Sequence, residues 1–374
     1  MAELKFTQFC QIGVKWWDLS RLKTKHLFIY RGISIFAGVQ DSRDMNIGIA
    51  VRYFKRIYDE VTELSRQTGY NRFYHLWDYL SAFVRHGAHI KQYTVGGFWR
   101  YSNPQRSKCM TLYRLSRLSK RYNDSQWVHY FKNKPDFNQY FADFVGRQWL
   151  YVKDSSYEEF KSFVNCHKTV IIKPMGGKEG IGIRKFVYNG ESDNQLRRLF
   201  DDLVQEDVVV EELIRQHPDM NLGNASVNTV RVLTVCRPGD GQAQVLKAIL
   251  RAGVGDSLVD NTALGGYFYE VDVATGVVTS KGFNRDGNLT VVHPGSDKVM
   301  LGFKVPHWEQ VIEICLKAAQ QMPYMAIVGW DVAVTTDGVL LVEGNNNPDY
   351  QHYEFLGTIG YYEKIKTFLE GKKA

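Results

Sequence analysis

No stretch of the 374-residue chain approaches the roughly 20 consecutive apolar residues of a membrane-spanning helix, so no helical span is expected. The five cysteines, at positions 10, 109, 166, 236 and 315, include no Cys-x-x-Cys pair. A zinc site and a disulfide framework are therefore not expected. The opening MAELKFTQFC lacks the basic-then-apolar pattern of a leader, and the expectation is a cytoplasmic protein. Internal repeats and low-complexity linkers are missing, as is any clear Ser-His-Asp or Cys-His arrangement for covalent catalysis. What is present is ordinary for a globular chain, 44% hydrophobic and 23% charged, which excludes disorder, collagen and coiled coil. The length suggests two or three domains.

Acidic residues are scarce in the front third. Residues 1–134 hold 23 Lys and Arg against 9 Asp and Glu, whereas the remainder holds 24 against 31. Between Arg85 and Lys134 the only acid is Asp124. Such a bias suits an anionic partner, with a solvated basic face as the plain alternative. Arg114, Arg117 and Arg121 fall on one helical face, where they could meet a phosphorylated acceptor. The same region is rich in aromatics. Exposed beside the basic residues these could stack on nucleic acid, but helix-packing core is the favoured reading and no nucleic acid is expected.

Periodicity gives a helix over 50–67, with Ala50, Val51, Phe54, Ile57, Tyr58, Val61 and Leu64 as its apolar positions and Gly69 as its stop. Residues 72–84 and 111–122 read as further helices, and Lys134-Pro135 opens another through Val145. Ser155 with Glu158 and Ser156 with Glu159 both fit a capping box before a helix to Val164. Strands follow at 169–173, 183–188 and 208–211, with a helix capped by Ser192 among them. Beyond these the chain is mostly β, at 229–236, 242–250, 267–274 and 277–280; a helix at 307–321 precedes a hairpin at 325–343, and a last helix ends the chain. This order predicts an α+β fold.

Three segments carry chemistry. In the hairpin, a three-residue loop Thr336-Asp337-Gly338 would pair Thr335 with Val339 and set Asp331 opposite Glu343. Asn345 would share their face, giving hard oxygen ligands suited to Mg²⁺ bridged by phosphates. An exposed hairpin with charges in water is the alternative. Lys173-Pro-Met-Gly-Gly-Lys-Glu-Gly-Ile-Gly182 places a strand-ending lysine before glycines whose amides can approach phosphate oxygens. It is not a Walker A loop, because the closing Gly-Lys-Ser/Thr is missing and a strand follows; a flexible turn is the alternative. Val208-Val-Val-Glu-Glu-Leu-Ile is an apolar strand ending in acids, either a purine hinge or an ordinary strand end.

In this order the segments resemble the ATP-grasp superfamily. More narrowly, Asn133-Lys134-Pro135-Asp136-Phe137-Asn138, Gln216-His217-Pro218, Ser226-Val227-Asn228-Thr229-Val230-Arg231 and Val259-Asp260-Asn261 with Gly265-Gly266 resemble the sugar-transfer-associated ATP-grasp family of cell-surface polysaccharide synthesis. The likeness spans roughly residues 131–357. It implies an ATP-grasp fold, two α+β subdomains (131–206 and 207–374) clamping ATP, after a mainly helical basic region at 1–130. It implies Lys134 and Lys173 at the phosphates, Gly176, Gly177 and Gly180 in a flap, and Glu211, Glu212, Leu213 and Ile214 as the adenine hinge. His217, with Asp219 as the other candidate, would meet the ribose. Mg²⁺ would lie on Asp331, Glu343 and Asn345, and Arg231 and Arg251 would stabilise the transferring phosphoryl group. The activity implied is an ATP-dependent carboxylate–amine ligase using a sugar acid and an amine, with a phosphorylated or lipid-linked sugar as a further partner and a peripheral place at the inner membrane surface. A phosphotransferase and a non-catalytic nucleotide- or nucleic-acid-binding protein are the alternatives.

Overall fold

The computed structural model describes residues 47–176, 180–258, 260, 265–284, 286–348 and 359–371. The chain divides into two compact units, residues 1–94 and 95–374.

The first unit is helical where described: α1 (Ile47–Thr68), α2 (Arg72–His86) and the short α3 (Ile90–Thr94). Asn71 caps α2 by accepting from the Phe73 amide, and Gly87 ends it in the left-handed conformation. On α1 the buried stripe is Tyr53, Ile57, Val61 and Leu64, the one that packs towards α2 through a Tyr53–Tyr79 hydroxyl bond of 3.2 Å. Val51, Phe54 and Tyr58, expected on the apolar face, lie exposed, as do Phe73, Tyr74 and Trp77 of α2. Among the described residues of this unit the aromatics thus divide between core and surface, and those before residue 47 lie outside the described residues.

The second unit begins with α4 (Asn103–Lys108), α5 (Leu112–Tyr122), α6 (Lys134–Tyr140) and α7 (Ala142–Val145). The single helix expected over 134–145 breaks at Phe141. There follow β1 (Trp149–Tyr151), α8 (Tyr157–His167), β2 (Thr169–Pro174), β3 (Arg184–Val187), α9 (Asp193–Glu206) and β4 (Val208–Glu212). Of the two capping boxes, the Ser156–Glu159 one forms, while the Ser155 hydroxyl turns to the Tyr151 carbonyl. β1 to β4 make an antiparallel sheet in the order β1-β4-β2-β3, with α8 and α9 packed through Phe160, Val164, Leu196 and Leu203.

The rest is β5 (Thr229–Cys236), β6 (Ala243–Ala252), β7 (Tyr267–Val271), β8 (Gly282–Phe283), β9 (Leu289–Thr290), α10 (Trp308–Gln321), β10 (Ile327–Val334), β11 (Val339–Asn345) and α11 (Tyr361–Leu369). The segment 277–280 is not a strand; Val277 and Val278 make only isolated bridges. The strands form one sheet in the order β11-β10-β5-β6-β7-β8-β9. All eight residues of β10 are buried, which requires cover on both faces. Even-numbered Val230, Val232, Val328, Trp330 and Val332 pack with Val311, Cys315 and Ala318 of α10. Odd-numbered Leu233, Val235 and Ile327 pack beneath α5 and α11. Towards the other end of these strands the same odd-numbered face carries Thr229, Arg231 and Asp331, and there it turns polar.

Candidate active site

That polar end is built by cross-strand pairing. Asp331 pairs with Arg231 on one side and with Glu343 on the other, while Gly329 pairs with Asn345. The expected Asp331–Glu343 pairing is present, but the hairpin reaches it differently. Val334, not Thr335, pairs with Val339, so the loop holds four residues, and a bulge between Asp331 and Val332 takes up the extra one. The glycine between Glu343 and Asn345 has a steric cause: a Cβ on Gly344 would lie 2.7 Å from the Phe131 ring.

Arg231 grips Asp331 with two parallel bonds, Nε to Oδ1 and Nη2 to Oδ2, each 2.6 Å. Arg251 adds a bond from Nη1 to Oδ2 at 2.6 Å, and its Nη2 lies 2.9 Å from Asp260, which also accepts from the Thr229 amide at 3.0 Å. Burial alone would push the Asp331 carboxyl up; the two guanidinium groups overcome it and hold the group well below the usual range. Glu343 differs. Its side chain is 54% exposed, 3.8 Å from Arg231, and takes a 3.4 Å bond from Asn345. The surrounding protein and the Asp331 charge push its carboxyl up.

Two lysines come from β2 and from the start of α6. The Lys173 ammonium donates to Glu211 at 2.6 Å, and Lys134 donates to the Pro174 carbonyl at 2.7 Å. Burial lowers the Lys134 pKa, Glu343 opposes that, and Lys173 adds to it, so one electrostatic neighbourhood takes in both lysines and the metal-ligand candidate. Glu211, the first of the expected hinge residues, is the last but one of β4, with its side chain turned inward. Its buried carboxylate is shared by Lys173 and by Arg147, whose Nε lies 2.7 Å away. The Glu212 amide donates to the Gln148 carbonyl at 2.9 Å, and Leu213 and Ile214 follow beyond the strand.

Of the flap, Gly176 has open space where a Cβ would stand, Gly180 has φ of 78°, and Gly177 lies outside the described residues. His217 donates its amide to the Val334 carbonyl at 2.8 Å, beside the hairpin's loop end and away from Glu343. Arg147, Asp260 and Thr229 were not singled out as site residues from the sequence. Thr229 and Asp260 lie within motifs that carry the family resemblance; Arg147 carries no local signal.

The donor set fits a divalent cation shared with phosphate. Among the described residues no three His, Cys, Asp or Glu side chains cluster as a complete protein cage. A carboxylate has about four lone-pair sites, and three of those on Asp331 are spent on arginines. The remaining capacity of Asp331 is turned to the Glu343 side chain, with the Asn345 carboxamide beside it.

The family described as sugar-transfer associated ATP-grasp matches residues 113–368. No curated protein matches the chain by sequence. Among solved structures, the chain is similar to the ATP-grasp ligase PsnB complexed with minimal precursor, Mg and ADP, with a TM-score of 0.41 and 15% identity over 67% of this chain and 61% of that one. It is also similar to D-alanyl-alanine synthetase A from Vibrio cholerae, with a TM-score of 0.37 and 13% identity over 65% of this chain and 64% of that one. A third is N5-carboxyaminoimidazole ribonucleotide synthetase from Thermotoga maritima, with a TM-score of 0.39 and 12% identity over 66% of this chain and 51% of that one. The chain spans about three-fifths of the length of PsnB.

Proposed function

Because the chain belongs to the sugar-transfer-associated ATP-grasp family, we propose that it is an ATP-dependent ligase joining a carboxylate to an amine. The substrate class is a sugar acid or sugar-linked precursor of polysaccharide synthesis, and the reaction belongs in the cytoplasm, where ATP is available. Among the described residues no helix is long and apolar enough to cross a membrane. The observation that carries the reading is the bonded link between two charged groups: Lys134 and Lys173 about Pro174 and Glu211, and Asp331, Glu343 and Asn345 with Arg231 and Arg251, joined where Arg147 runs from Glu211 to the carbonyls of Leu341 and Val342 beside Glu343.

The obstacle to this reaction is charge. A carboxylate must attack the γ-phosphorus of a polyanion and expel ADP to give an acylphosphate, whose acyl carbon the amine then attacks to form the amide with release of inorganic phosphate and a proton. Lys134 and Lys173 meet the phosphates with positive charge, and Arg231 keeps three of its five N–H donors beyond the two spent on Asp331. Glu343 and Asn345, with Asp331 beside them, would hold Mg²⁺, which when bound neutralises phosphate charge. The Asp260–Arg251–Asp331 chain keeps Asp331 ionised and in place. No enzyme nucleophile is needed. The glycine flap would close over the acylphosphate and exclude water.

The test is ADP release with nucleotide-linked uronic acids crossed against amino acids and small amino alcohols. Release that requires both partners is expected. Release without any amine would make the protein a phosphotransferase, and no release with any pair would remove the catalytic reading.

A further inference from the structure

Arg147 is buried between the two sheets, with its side chain only 2% exposed. Its Nε donates to Glu211 Oε2 at 2.7 Å, on β4 of the four-stranded sheet. Its Nη1 donates to the Leu341 carbonyl at 2.6 Å and its Nη2 to the Val342 carbonyl at 3.1 Å, on β11 of the seven-stranded sheet. A third carbonyl, Val145, accepts from Nη1 at 3.3 Å. Val342 is the residue before Glu343, at the bulge that sets the Asp331–Glu343 register. The same Glu211 oxygen that receives Arg147 receives the Lys173 ammonium at 2.6 Å.

We propose that Arg147 is a positioning residue that joins the metal-ligand strand to the phosphate lysine, holding Lys173 in the cleft and keeping its charge available to the nucleotide. The inference rests on the nucleotide reading of the cleft. Its physical core is a count of charge. Arg147, Glu211 and Lys173 together carry one net positive charge in a buried setting, where screening by salt is weak. Without Arg147, Glu211 and Lys173 become a closed neutral pair, and the phosphates meet a dipole instead of a cation. The carbonyls of Leu341 and Val342 lose their donors as well, which loosens the bulge beside Glu343.

The test is a double-mutant cycle read by calorimetry with two probes, Mg²⁺-ATP and adenosine. Arg147→Gln is expected to weaken ATP by roughly tenfold or more while leaving adenosine unchanged, since adenosine has no phosphates for Lys173 to meet. Adding Glu211→Gln removes the acid that neutralises Lys173, so the double variant should recover most of the ATP affinity. A scaffold role predicts the reverse: equal losses for ATP and adenosine, and a double variant no better than the single one. Either of those results overturns the inference while leaving the nucleotide site standing. Wild-type protein that binds neither probe would overturn the underlying reading and this one with it. Should Arg147→Gln fail to fold, Arg147→Lys keeps a charge at Glu211 and loses the fork to the two carbonyls. It should retain ATP affinity and lose kcat; loss of affinity for both probes would again overturn the proposal.

Discussion

Arg231 and Asp331 are neighbours across the β5–β10 ladder, and they lock together fork to fork through two 2.6 Å bonds. Such bidentate pairs fix geometry as well as charge. With Arg251 also on Asp331, this carboxylate is held from three directions, whereas Glu343 opposite it is half open. One metal-ligand candidate is therefore a structural anchor and the other is free to respond to a cation.

The two isosteric variants should separate these roles. Glu343→Gln is expected to lower Mg²⁺-dependent turnover by at least a hundredfold with little change in Tm, because no buried pair is broken. Asp331→Asn should lower turnover similarly and also cost stability, since removing one partner of a buried pair costs about 3–5 kcal/mol. Thermal unfolding beside ADP release measures both. Near-native turnover in both variants would refute the metal assignment.

Glycine placement offers a steric test. An Ala at 344 would drive its Cβ to 2.7 Å from the Phe131 ring and 3.0 Å from the Phe137 ring. Overpacking of this kind costs about 1–3 kcal/mol and would shift the strand that carries Glu343 and Asn345. Gly344→Ala should therefore lower both Tm and kcat. Gly176→Ala, with nothing within 4 Å of the added carbon, should leave Tm unchanged. Equal Tm values for the two variants would remove the steric account.

Several parts of this architecture are legible in the sequence for definite reasons. The β10–β11 pairing is readable because Asp337-Gly338 marks a turn between two apolar runs, and period-two alternation carries the register to the carboxylates. The four-residue loop and its compensating bulge are not readable, since one extra residue in each leaves the pairing at Asp331 unchanged. Arg147 is invisible locally because its partners lie 64, 194 and 195 residues away. Likewise Arg114 reads as one of a basic stripe. In the fold its Nη1 donates to the Arg106 and Cys109 carbonyls at 2.8 and 2.6 Å, partners that the stripe does not reveal. The ATP-grasp fold follows from the whole pattern of the family, not from any one of these residues.

Acid stability should report the Glu211 cluster. Burial alone would push the Glu211 carboxyl up, but the Arg147 and Lys173 charges hold it well below its ordinary value near 4.5. A carboxyl depressed in the fold contributes stability above its unfolded pKa and loses it as pH falls towards the folded value. The stability gap between wild type and Glu211→Gln should thus be largest above about pH 5 and shrink steadily below pH 4.5. Urea unfolding of both proteins across that range measures it. A gap that is constant or widens on acidification would show that Glu211 is not stabilised as an anion.

The basic helix α5 gives a last test, narrowed by the structure. Arg114 holds two backbone carbonyls through Nη1 and stacks 4.7 Å from the Tyr362 ring, so its neutralisation should cost stability and would confound a ligand-binding test. Arg117, Lys120 and Arg121 are exposed, with no acid between Arg85 and Asp124 to neutralise them. If they gather an anionic, phosphorylated or lipid-linked acceptor, the attraction acts through solvent and is screened with a Debye length of about 10 Å at 0.1 M ionic strength. ATP in direct contact with partly buried lysines should respond less. Replacing the three with Gln is therefore expected to raise acceptor KM several-fold at low salt, with kcat and ATP KM little altered, the pattern of lost uniform binding. The difference from wild type should fade as salt is raised. Native acceptor kinetics in the triple variant at low salt would make α5 a solvated face and leave acceptor recognition to the cleft itself.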